Sequence, residues 1–173
     1  MDHSQQPGSF ILKAADEGLK LAAALSHFAS GQRTRDLASK ISLTATILTE
    51  VGREVNHHAG YFKTTLQKKF QNVTTKCEKD FDRVLSAIDK ANTWKSGDSG
   101  EGSIELPPKK AWKRLLWAMS MNETEFDDFD DSLDESMTQA AMLQCIVALV
   151  VLQIHGQQSV TISPFNFLAP PSI

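Results

Sequence analysis

Eighteen consecutive residues, Met137 to Ile154, carry no charge and include the run Cys145-Ile146-Val147-Ala148-Leu149-Val150-Val151-Leu152. A helix built from them has no polar face to give to water, so it must be covered by the rest of the chain or by another apolar phase. The Val and Ile content suggests a strand, but the length and the amphipathic helical patterns upstream favour a helix. At 18 residues the stretch stands at the lower edge of what can span a bilayer. Gln139, Gln144 and Gln153 are costly in hydrocarbon, and the upstream flank is acidic rather than basic. The expectation is a core helix enclosed by other helices, with membrane insertion as the alternative.

The other helices are read from apolar periodicity. Ile11, Ala15, Ala22 and Leu25 recur at helical spacing and predict a helix over about 9–29, stopped by Ser30-Gly31. Thr34 is a candidate N-cap for a second helix carrying Leu37, Ile41, Leu48, Val51 and Val55. Gly60 predicts a break. After it Phe62, Leu66, Phe70, Val73, Cys77, Phe81, Val84 and Ile88 repeat at threes and fours, the clearest period in the chain. Lys63, Lys68, Lys69, Lys76, Glu78, Lys79 and Asp80 are read as the solvated face of that helix.

Residues 92–106, rich in Ser and Gly, predict a flexible loop. Pro107 and Pro108 suit the start of a short helix in which Trp112, Leu115, Leu116 and Met119 lie beside Lys109, Lys110, Lys113 and Arg114. Residues 123–135 are acidic, with Phe126, Phe129 and Leu133 at helical spacing, and negative charge there favours a helix N-terminus. Gly156 is read as a helix stop and 157–173 as an irregular tail. The expected fold is all-α: one helical bundle of four to five helices over 1–156, with a central apolar C-terminal helix.

Charge gives little pull toward nucleic acid or anionic lipid, since 18 Lys and Arg face 21 Asp and Glu for a net charge of -3. Cys77 and Cys145 have neither zinc-ligand spacing nor a disulfide framework, which fits a reduced, cytoplasmic setting. No secretory leader is recognisable after Met1, so the Asn-x-Thr triplets at Asn72 and Asn122 are read as incidental. Glu54 and His57 have the spacing used in di-iron bundles, but a single copy does not make a centre. No phosphate-binding glycine loop follows a strand, and the acidic run lacks the alternating ligands and central glycine of a calcium loop. No enzyme, cofactor or metal site is therefore expected. The acidic run is read as capping a helix or pairing with a basic surface, Lys109 to Arg114 being one candidate.

Ala14-Ala15-Asp16-Glu17-Gly18-Leu19 through Ala91 resembles the fungal N-terminal domain of STAND-type signalling proteins. Asp36 to Gly52, reading DLASKISLTATILTEVG, is similar to that family's "i-x-x-D-V-S-L-T-S-S-V-L-x-E-L-G" helix, and the likeness continues into Cys77-Glu78-Lys79-Asp80-Phe81. Trp112 to Leu152 is similar in layout to the family's tryptophan-containing short helix followed by a long leucine-rich one. The resemblance implies a non-catalytic module that commonly precedes nucleotide-binding oligomerisation domains or other regions and acts in signalling, self-association or membrane-linked cell death, with stand-alone members in an accessory role beside fungal secondary-metabolite genes. The expected partner is another protein or a second copy, not nucleic acid. Trp112, Leu116, Phe126 and Phe129 are the candidate interaction anchors, and Lys109, Lys110, Lys113 and Arg114 the candidate membrane contacts.

Overall fold

The computed structural model describes residues 7–28, 32–93 and 123–161. They form four α-helices, α1 (Pro7–Phe28), α2 (Gln32–His57), α3 (Thr64–Thr93) and α4 (Glu123–Thr161), with a 3-10 turn at Ala59–Tyr61. The all-α bundle expected from the sequence is what these residues build.

The closest pairing is α1 with α2, antiparallel, and it follows from small residues on both helices. Gly8 on α1 meets Gly52 on α2, and Gly18 meets Ala45. A Cβ on Gly8 would stand 2.5 Å from the Gly52 carbonyl oxygen, and one on Gly52 would stand 3.2 Å from the Gly8 oxygen. At that crossing backbone meets backbone, and only glycine fits. Around it Ile11, Leu25, Leu37, Ile41, Leu48, Val51 and Val55 are buried, each fully buried aliphatic side chain contributing about 1.5–3 kcal/mol.

The expected break at Gly60 is present. The His58 amide closes the last turn of α2 on Glu54, the Tyr61 amide bonds to the His58 carbonyl, and Phe62 turns inward edge-on to Phe70 with 5.4 Å between ring centroids. The chain then enters α3, whose buried stripe is Phe70, Thr74, Cys77, Phe81 and Val84. This helix lies beside α1, with Phe81 against Gly18, while α2 and α3 meet only slightly across the diagonal. Completing the bundle, α4 lies parallel to α2 and antiparallel to α3.

Three local expectations need correction. Thr34 is not an N-cap, because α2 begins at Gln32 and Thr34 is buried in its first turns. Gly156 does not end the last helix, which runs on to Thr161, so the irregular tail does not begin at 157. A glycine stops a helix by turning to positive φ; Gly156 does not, and costs only about 1 kcal/mol relative to alanine. Asp80 and Lys76 do not belong to a solvated face. Asp80 is buried and Lys76 half-buried, because both point at α4. The loop expected at 92–106 lies outside the described residues except for Asn92 and Thr93, which are in α3. The basic helix expected after Pro107 lies outside them altogether.

Candidate interaction surface

Two stripes with the same spacing run along α4. Leu133, Ser136, Ala140, Leu143, Val147 and Ile154 are buried, alternating at threes and fours as a seam against α2 and α3. Met142, Cys145, Leu149 and Leu152 follow Ala140, Leu143, Val147 and Val150 by two positions, which at about 100° per residue places them on the opposite face. That outer stripe is open: Met142 and Leu149 are 61% exposed, Leu152 is 66% exposed, and Cys145 is exposed. The apolar helix is thus present as expected, but it is covered along one side and lies at the edge of the described bundle.

Polar contacts near the start of α4 set its rotation. Asp80 of α3 accepts hydrogen bonds from Ser136 at 2.5 Å and Ser132 at 2.8 Å, with the Lys76 ammonium 3.4 Å away. Lys76 also reaches Glu135 at 3.3 Å. On the other flank, Lys40 of α2 bridges Asp130 at 2.7 Å and Asp134 at 2.8 Å. Burial works against the Lys40 charge, but the hydrogen bonds to the two carboxylates outweigh it and hold the ammonium above its ordinary value. Lys76 is raised in the same way, burial being outweighed by Asp80 and Glu135. These anchors turn the serines toward α3 and leave Met142 to Leu152 facing out.

Of the anchors expected from sequence, Phe129 is half-buried with the Arg83 guanidinium 4.8 Å from its ring centroid, so it serves the contact with α3. Phe126 stands in the first turn of α4, but its side chain lies outside the described residues, as do Trp112, Leu116, Lys109, Lys110, Lys113 and Arg114. The acidic run finds its described partners in Lys40 and Lys76. Sequence reasoning missed the outer stripe as a surface. Its heptad spacing was readable, but nothing local distinguished it from the buried stripe two residues away.

No arrangement for chemistry emerges among the described residues. Glu54 pairs with His58 at 3.6 Å, one turn on, and His58 stacks edgewise on His57 and His155. Among the described residues no group of three or more His, Cys, Asp or Glu side chains is placed to hold a metal. Burial pushes the Cys77 thiol up to about 12, the opposite of what a nucleophile needs. No known family, characterised protein or solved structure matches the chain.

Proposed function

We propose that the chain is a non-catalytic helical interaction module that works in the cytoplasm through the outer face of α4. The observation that carries this reading is the row of exposed apolar side chains from Met142 to Leu152, which water does not favour and the buried stripe does not need. The resemblance of Asp36 to Gly52 and Cys77 to Phe81 to the fungal STAND N-terminal domain supports the same reading, as a signalling module or an accessory protein of a secondary-metabolite pathway. Trp112, Leu116 and Phe126 remain proposed as further anchors, whereas Phe129 is engaged with Arg83 of α3.

A membrane-active role is the second reading. It is favoured by one observation: Asp127–Gln157 is long and apolar enough by length and composition to cross a membrane, and little of it is buried. Lys109, Lys110, Lys113 and Arg114 would then meet headgroups.

A photo-crosslinking residue placed at Leu149 in cells separates the two. The interaction reading expects discrete protein adducts that disappear when Met142 and Leu152 are changed to Glu. Adducts to lipid alone, or none, would overturn it.

A further inference from the structure

An exposed heptad stripe calls for a helix, because a seam at threes and fours is the surface into which another helix inserts its side chains. Met142, Cys145, Leu149 and Leu152 have that spacing on the side of α4 turned away from α2 and α3. We propose that the stripe is covered by the same stripe of a second copy of this chain, the two α4 helices packing antiparallel about a twofold axis that crosses the outer face at the level of residue 147. This rests on the interaction-module reading and names its partner.

The stripe matches itself when reversed. A twofold axis at the level of residue 147 sets Met142 opposite Leu152 and Cys145 opposite Leu149, so each layer pairs an exposed apolar side chain with another.

Charge selects the direction and the kind of partner. A parallel pair would line up Asp127, Asp128, Asp131 and Glu135 with their own copies, all four of them largely in water. The antiparallel pair instead turns Glu135 toward the far end of the partner's α4, where Gln157 to Thr161 carry no charge. The same acidic residues would be held against headgroups if the stripe lay on an anionic membrane, which disfavours lipid as the cover. Four apolar anchors per copy make a small patch beside the ~800 Å² per partner of a standard interface, so the dimer is expected to be weak, forming in roughly the micromolar range or above.

Sedimentation equilibrium on the full chain, with the rate of Cys145 modification by a thiol reagent measured across the same concentrations, tests the proposal. Cys77 stays silent in that assay because it is buried. The expected result is a monomer–dimer equilibrium with Cys145 protection that fades on dilution. Leu149→Glu with Leu152→Glu, checked for unchanged helicity by circular dichroism, should weaken association at least tenfold and expose Cys145.

A dimer indifferent to those substitutions would overturn the proposal. So would a Cys145–Cys145 disulfide forming readily on oxidation, since in this register each Cys145 faces Leu149, and the four-residue stagger adds about 6 Å along the axis to the gap across it, beyond the ~7 Å a disulfide can bridge. A monomer with reactive Cys145 would overturn the second copy while leaving the face open for a different protein. If the monomer instead had protected Cys145, the stripe would be covered by the chain itself, and the interaction reading would fall as well. Flotation of the chain with neutral vesicles would give the stripe to lipid and overturn the proposal.

Discussion

Ser136 of α4 donates a hydrogen bond of 2.5 Å to Asp80 of α3, at a point where both residues are buried. A carboxylate taken out of water is costly unless donors replace its hydration, and here two serine hydroxyls and the Lys76 ammonium do so. The serines stand one turn apart on α4, so the same bonds that satisfy the charge also fix how that helix is rotated.

Removing the carboxylate should therefore cost more than removing one donor. Ser136→Ala is expected to lose about 1.5–3 kcal/mol, the range for a hydrogen bond to a charged group. Asp80→Ala, which strands both hydroxyls and leaves Glu135 as the one carboxylate near Lys76, should lose more, about 3–5 kcal/mol. Urea unfolding measures both. Equal losses below ~0.5 kcal/mol would mean that water satisfies this site.

Lys40 ties the acidic start of α4 to α2 through Asp130 and Asp134. Replacing it by Met keeps the stem and deletes the charge, and should cost about 1 kcal/mol, given how much of the pair stays in contact with water. Hydrogen exchange should then accelerate over the first turns of α4 and not over α1. Since the folded ammonium lies above its unfolded value, its contribution is complete at neutral pH and is lost only as alkali carries the pH from about 10.5 upward through the folded value. Stability profiles of the wild type and Lys40→Met should converge there.

Periodicity made α1, α2, the break at Gly60 and α3 readable, because each buries a stripe that repeats at threes and fours. It could not identify Asp80, which sits in a run of charge with Glu78 and Lys79 and is set apart by falling three residues after Cys77, on the buried side. The paired serines at 132 and 136, within an acidic and apolar stretch, were the available signal. Nor could the uncharged run disclose its open side. A helix apolar all round offers the same period on every face, so the choice between Val147 and Leu149 as core belongs to tertiary packing.

Burial raises the Glu78 carboxyl above its ordinary value, and nearby Glu17 adds to this. An acid whose folded value is raised favours the fold below its unfolded value, about 4.5, and loses that contribution as pH rises through the folded value. Glu78→Gln should accordingly stabilise the bundle at pH 7. The gain should vanish below pH ~4.5, where both states hold the proton. Thermal unfolding at the two pH values checks the sign.

Cys77 and Cys145 should respond very differently to a thiol reagent. With the buried thiol pushed up to about 12 from 9.0, Cys77 holds roughly a thousandfold less thiolate than an unperturbed cysteine at pH 8. Its modification is expected only through opening of the α3–α4 contact, and Ser136→Ala should speed it. Comparable rates for the two thiols in the native protein would contradict the burial of Cys77.

Gly18 stands where α1, α2 and α3 converge, and its substitution opposes two effects of known size. Alanine there gains about 1 kcal/mol of helix propensity. Its Cβ, however, would fall 2.6 Å from Phe81 Cε2 and 2.9 Å from the Ala45 Cβ, closer than either can tolerate. Phe81 is 2% exposed and Ala45 fully buried, so neither can withdraw without moving a helix, and overpacking of this kind costs about 1–3 kcal/mol. Gly18→Ala is thus expected to destabilise by up to about 2 kcal/mol despite the better helix former. Phe81→Leu removes the ring that the new methyl would strike, so the double variant should lose less than the sum of the two single losses. A double-mutant cycle in urea reads that coupling directly, and strict additivity would place the clash elsewhere.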